Sequence, residues 1–268
     1  MLYTRFYDQV LTEIAAGKVS DGINLLVGML DTVNIGPGSL AQAKRELHGH
    51  SLARMLLEDP SLADAEARPN AIMARIASIG RTTTGADISS TGRRLFEVTS
   101  ELTVARALRQ RRESYELKFA RASQLGQKIC VCVSGGHKAA DQLNNADFSK
   151  ATVFDTNDHR WTAAKSNPRF DLILAPDLFD RNKPSALPHI LKSMATCLGN
   201  SGSIIIAALS PNHLGSGWRS ACLNWDPHCH DEAALASLAA AAGLTARTYR
   251  DETDCVVWGE LGANTHGN

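Results

Sequence analysis

From Lys128 onward the chain alternates short apolar runs with helix-like stretches, and no other feature restricts its fold so strongly. KICVCV, ATVFD, FDLILAP and GSIIIAAL read as strands. AADQLNNA suggests a short helix, DLFDRNKPSALPHILKSMATCLG carries another, and DEAALASLAAAAGL is a helix with Gly243 near its end. Such alternation predicts a parallel sheet with helices on both faces. TARTYRDET and CVVWGEL follow with a short connection, so they predict an antiparallel pair at one edge. Cys130 and Cys132 stand two apart in the first strand, share a face and read as small buried apolar residues.

Residues 1–127 contain no convincing strand. FYDQVLTEIAAG places Phe6, Val10, Leu11 and Ile14 on one stripe, and Gly17 closes that helix. DGINLLVGMLDTV is followed by the breaker IGPGS. LAQAKRELHGHSLARMLLEDP is predicted as a helix capped by Ser39 and stopped by Pro60, with Ser61 capping the next piece. RTTTGADISS is a polar loop, and residues 91–123 form a long helical segment with one break. The expected organisation is a helical domain over residues 1–127, capping the strand ends of an α/β Rossmann-like domain over residues 128–268.

The 268 residues are enough for a proper core. Lys and Arg total 28, as do Asp and Glu, so no basic footprint points to nucleic acid or an anionic membrane. MLYTRFYDQV puts Arg5 and Asp8 where a signal peptide is apolar, and SIIIAAL is too short to span a membrane. The six cysteines show no paired spacing. A cytoplasmic protein is expected, with a homo-oligomer or partner protein left open.

The first strand of this half runs into Ser134-Gly135-Gly136-His137, and the second ends on Asp155. Glycines at a strand end let a ligand approach the backbone. An acid at the end of the next strand can accept from two ribose hydroxyls. Gly135, Gly136 and Asp155 therefore read together as a nucleoside site, although each alone also fits a turn or a cap. SGGHKA lacks the third glycine of a pyrophosphate turn, and no GxxxxGK[ST] loop occurs. A cofactor without phosphates, S-adenosyl-L-methionine, is favoured over a dinucleotide or ATP.

At these residues the second half resembles class I S-adenosylmethionine-dependent methyltransferases. More narrowly, the chain resembles the bacterial extracellular-factor, 3-hydroxypalmitic acid methyl ester biosynthesis family. The resemblance rests on motif order: LLEDP (56–60), VARALRQRR (104–112), VSGGHKAAD (133–141), VFDTND (153–158), FDLILAPDLFD (170–180), GSIIIAAL (202–209) and LNWDPHCHDE (223–232). It implies a methyltransferase of a small-molecule or acyl acceptor, with a carboxylate oxygen as one acceptor. It extends the cofactor set to Asn157, Asp158, Ala175 and Pro176, beside Gly135, Gly136 and Asp155. His137, Asp180 and His230 are the catalytic candidates, and Arg109, Arg112 and Trp225 the substrate-binding ones. Arg106, Arg109, Arg111 and Arg112 also read as a solvated helix face, Trp225 as ordinary packing, and Asp180 as a helix cap.

The chain departs from that pattern in four places, the first being Gly135-Gly136-His137 where the family has CGH. The family's KPRGYAGD-like segment is reduced to ARPNAIMA, and the arginine of its YRDE is replaced by His230. Only TNDHRWTAAKSNPR separates Asp155 from Phe170, enough for one short crossover, so an edge strand is expected to be missing. A degenerate methyltransferase-like protein, acting as a binding or scaffold subunit, is the alternative. His213, His228, Cys229 and His230 lack the spacing of a metal site, so no metal is expected.

Overall fold

The computed structural model describes residues 2–34, 39–67, 88–134, 151–155 and 169–263. They divide into two compact units, residues 1–109 with 212–226, and residues 110–211 with 227–268. The boundary at 127/128 marks where helices give way to strands along the chain. The compact units are drawn differently because one long helix runs through the division and one loop of the second half belongs to the first unit.

The helical unit contains α1 (Thr4–Ala15), α2 (Val19–Asn34), α3 (Ser39–His48), α4 (Ser51–Leu56), α5 (Pro60–Ala67) and α6 (Ser90–Ser100). It also holds the start of α7 (Thr103–Gln124) and the whole of α10 (Ser216–Cys222). The buried stripe of α1 is Tyr7, Val10 and Ile14, and the Tyr7 hydroxyl donates to the Ala43 carbonyl at 2.8 Å. The expected single helix after Ser39 is two, because the chain breaks at Gly49 and His50. The His50 side chain then caps α4 by accepting from Leu52 N at 3.1 Å. Pro60 starts α5 rather than stopping its predecessor, since a first helical position needs no N–H. Asp59 caps that helix in place of Ser61. Its buried carboxylate accepts from Ser61 N at 2.7 Å, Ser61 Oγ at 2.6 Å and Thr99 Oγ1 at 2.5 Å, tying α5 to α6.

Segment 212–226 is fastened to this unit by α2. Asp31 accepts from the N–H groups of Gly215 at 2.6 Å and Gly217 at 2.8 Å, filling orphan donors at the start of α10. Gly215 is left-handed at φ 86°, and a Cβ on Gly217 would lie 2.2 Å from the Leu30 carbonyl oxygen. Helix α10 therefore meets α2 backbone to backbone.

The second unit is built on a six-stranded sheet: β1 (Ile129–Val133), β2 (Ala151–Asp155), β3 (Phe170–Ala175), β4 (Leu198–Leu209), β5 (Leu244–Arg250) and β6 (Val256–Ala263). Their order is β2-β1-β3-β4-β6-β5. The first four run parallel, and β6 is antiparallel to both β4 and β5. This is the expected Rossmann-like sheet with an antiparallel edge pair. β2 is the edge among the described residues; the segment 156–168 lies outside them, as does AADQLNNA.

One face of the sheet presents Cys130, Cys132, Ile173, Ile204, Ile206 and Val257 to α9 (Leu187–Thr196) and α11 (Glu232–Ala241). Asp231 caps α11 through Ala234 N at 2.7 Å, and Gly243 follows it at φ 77°. The opposite face carries Trp258, whose ring lies 5.1 Å from that of Tyr115 on α7. No described helix is long and apolar enough to cross a membrane.

Candidate functional site

The chain leaves β1 for β2 on one side and returns to β3 on the other, so the sheet changes winding direction between β1 and β3. Open α/β sheets bind ligands beyond the carboxyl ends of the strands at such a point. Of the predicted cofactor residues, Asp155, Ala175 and Pro176 lie there, with Ser134 as a neighbour that was not predicted. Asp155 ends β2 in register with Val133, Ser134 follows β1, and Ala175 and Pro176 end β3. Gly135, Gly136, His137, Asn157 and Asp158 lie outside the described residues.

The crevice rim is acidic and mostly buried. Asp177 is 1% exposed and accepts from Ser134 N at 3.3 Å. Arg181 Nε lies 3.0 Å from its other oxygen, an ion-pair distance without hydrogen-bond alignment. Burial raises the Asp177 carboxyl to about 6, with Arg181 and the Ser134 N–H opposing. Asn182 Nδ2 donates to Ser134 Oγ at 3.3 Å, so β1 and the turn after β3 are cross-linked by polar groups.

Beside it lies a buried ion pair. Arg111 Nη2 donates to Asp180 Oδ2 at 2.7 Å, and Asp180 Oδ1 accepts from Leu209 N at 3.3 Å. Asp180 sits on α8 (Leu178–Arg181), just past β3. Burial works against the Arg111 charge, but the Asp180 carboxylate outweighs it and holds the guanidinium pKa above its ordinary value. The His228 N–H reaches the Asp180 carbonyl at 3.1 Å, and the His230 N–H reaches the Leu209 carbonyl at 2.9 Å. These bonds fold the HCH stretch over the ends of β4 and α8. The His230 ring stands edge-on to Phe179 at 5.6 Å. Burial lowers the His230 pKa, with Asp180 opposing, so the ring is neutral at pH 7. Among the described residues, neither Arg111 Nη1 nor His230 Nε2 has a hydrogen-bond partner, and both are buried.

The predicted site residues therefore divide. Asp180 and His230 meet around one buried cluster, and Asp155, Ala175 and Pro176 gather at the strand ends. The Ala175 carbonyl is already bonded to the Tyr115 hydroxyl at 3.2 Å. Arg112 pairs with Glu116 one turn along α7, at 2.8 Å. Arg109 belongs to the helical unit, where it donates to the Ser100 carbonyl and pairs with Glu101 at 3.1 Å. Trp225 belongs there too, half-buried under the Arg219 guanidinium at 5.5 Å.

Sequence reasoning named Arg111 only within the arginine cluster, without choosing it, and missed Tyr115 and Asp177. Arg111 and Tyr115 were readable from helical phase. Val104, Leu108, Arg111, Tyr115 and Phe119 recur at three- and four-residue steps, so Arg111 sits in an apolar stripe while Arg106 lies outside it. Asp177 carried no such signal, because its burial comes from the turn after β3. Among the described residues no group of three or more His, Cys, Asp or Glu could hold a metal ion.

No protein-family model matches the chain, and no curated protein matches it in sequence. Among solved structures it is similar to a possible exported protein from Bordetella parapertussis, at 15% identity over 84% of this chain and 94% of that one, with a TM-score of 0.54. It is also similar to the magnesium protoporphyrin IX methyltransferase of Synechocystis PCC 6803 with bound SAH, at 12% identity over 72% and 93% of the two chains and a TM-score of 0.46. The mitomycin 7-O-methyltransferase gives 14% identity over 80% and 76%, with a TM-score of 0.40. The first of these likenesses shows a shared fold.

Proposed function

We propose that this protein is an S-adenosyl-L-methionine-dependent methyltransferase of a small-molecule or acyl acceptor. The observation that carries the reading is the placement of Asp155 beside Val133 at the carboxyl ends of adjacent strands, next to the β1/β3 switch point. An acid there suits two ribose hydroxyls. Ser134, Ala175 and Pro176 border the same strand ends, and the sequence holds no phosphate loop that would call for a nucleotide instead. Bound there, the cofactor would supply an electrophilic methyl group. The reading places the protein in a reducing, cytoplasmic setting, in keeping with six cysteines that show no paired spacing.

The acceptor atom we propose is a carboxylate oxygen. Arg111 Nη1 is a buried guanidinium donor without a partner among the described residues, and guanidinium forks match carboxylates. A carboxylate is already anionic, so no base has to remove a proton, and a neutral, weakly basic His230 suffices as an orienting group. Holding the acceptor in line supplies much of the rate.

A second reading has its own observation. The Asp180 side chain is 0% exposed and tied to Arg111, and Tyr115 holds the Ala175 carbonyl, as in a core that has given up catalysis. Calorimetric titration with S-adenosylmethionine and S-adenosylhomocysteine separates the two. The enzyme reading expects micromolar binding that Asp155→Ala abolishes without lowering the melting temperature. A folded wild type that binds neither compound would leave the scaffold reading.

A further inference from the structure

We propose that the helical unit carries a second ligand site, for a small amphipathic molecule with an apolar body and one carboxylate. A cavity of about 350 Å³ opens among α3, α4, α5 and the end of α10. That volume lies within the usual range of small-molecule pockets, about 300–1,000 Å³. Every described residue lining it belongs to the helical unit.

Leu47, Leu56, Leu57, Leu62 and Leu223 line it together with Ala53 and Ala221. Cys222 adds a thiol that burial pushes up to about 12, so it stays neutral and behaves as another apolar group. This interior favours an aliphatic or aromatic body over a polar one.

Two of the lining polar residues offer free donors. Among the described residues no Asp or Glu lines the cavity. Arg54 is exposed at its edge, with no ion-pair or hydrogen-bond partner among the described residues. Asn224 Oδ1 lies 2.7 Å from the Lys44 ammonium. An ammonium only donates, which fixes that oxygen toward Lys44 and leaves both Nδ2 hydrogens for another acceptor. His48 Nε2 lies 3.2 Å from the Ala221 carbonyl, which only accepts, so this nitrogen holds its proton and is already used. Among the described residues Arg54 and Asn224 are thus unspent donors beside an apolar pocket that shows no carboxylate. A guanidinium fork takes a carboxylate through two parallel bonds, and the Asn224 amide adds a third donor.

The test uses the full-length chain and 2-naphthoate as the probe, with methyl-labelled leucine NMR and calorimetry. Naphthoate should bind with a Kd below millimolar and shift the methyl signals of the five lining leucines. Its uncharged amide should bind about tenfold more weakly, as should naphthoate to Arg54→Gln, the loss expected for one charge-assisted bond. Ala53→Phe, at the cavity wall, should exclude the probe; Arg54→Gln carries the test if that variant does not fold. The proposal is overturned if those methyls do not move at millimolar naphthoate. Equal affinity for acid and amide, or undiminished affinity in Arg54→Gln, overturns it as well.

Discussion

Arg111 and Asp180 meet at 2.7 Å with side chains 4% and 0% exposed, so α7 and the segment after β3 are joined through two buried charges. A buried pair broken on one side leaves the other charge stranded, which costs about 3–5 kcal/mol. Arg111→Met is therefore expected to lower unfolding stability by that amount. Replacing both, as Arg111→Met with Asp180→Leu, should recover most of the loss, because the apolar pair strands no charge. Urea unfolding of the two singles and the double gives the coupling energy. Independent, additive losses would show that the pair contributes nothing as a pair.

Asp177 sets a pH dependence with a defined sign. Burial raises its folded pKa from 3.8 to about 6, so the folded state holds a proton the unfolded state has released. Its contribution is fully present below 3.8 and is lost as pH rises through about 6. Ionised at neutral pH, it costs up to about 3 kcal/mol, at about 1.4 kcal/mol per pKa unit. Asp177→Asn keeps an oxygen for the Ser134 N–H and removes that cost. The variant should melt above the wild type at pH 7 and lose this advantage at pH 4. A constant offset across that range would exclude the mechanism.

His230 acts in the opposite direction. Burial depresses its pKa below 6.5, so the unfolded chain takes up a proton first as pH falls. Its contribution is present above 6.5 and is lost toward the lower folded pKa. His230→Gln should flatten the part of the stability-pH curve just below 6.5, measured by thermal melts in parallel with Asp177→Asn. An unchanged slope there would show that the ring is freely protonated in the fold.

Gly217 tests the docking of α10. A methyl group there would lie 2.2 Å from the Leu30 carbonyl oxygen and 2.8 Å from Asp31 N, both backbone atoms that cannot swing away. Gly217→Ala should cost about 1–3 kcal/mol, the range for overpacking. Ordinarily Gly to Ala in a helix stabilises by about 1 kcal/mol, so the sign alone decides. Denaturant midpoints report the outcome.

The strands were legible because each is a short apolar run bounded by polar turns, and parallel order followed from their alternation with helices. The antiparallel pairing of β5 and β6 was legible from the short connection Asp251–Cys255. Helix α10 was not. SGWRSAC has neither length nor periodicity, and its start is held by an Asp31 carboxylate that lies 184 residues earlier. The site was half legible for a similar reason. Asp155 announces itself as the acid at a strand end. The choice of Arg111 among four neighbouring arginines depends on which face of α7 is buried, and the density of charge hides that phase.

The hold of Asp31 on Gly215 and Gly217 also governs the order of events during synthesis. Domains ordinarily fold one after another as they leave the ribosome, the N-terminal one first. Here the helical unit lacks its last helix until Cys222 has emerged, after β1 to β4 have already been made. The backbone passes between the two units three times, at 109/110, 211/212 and 226/227. A fragment ending at residue 127 would leave Asp31 without the two N–H groups it binds and the Leu30 carbonyl without the glycine packed on it. Until Cys222 emerges, the nascent α2 lacks the segment that Asp31 holds, a segment that follows β1 to β4 along the chain.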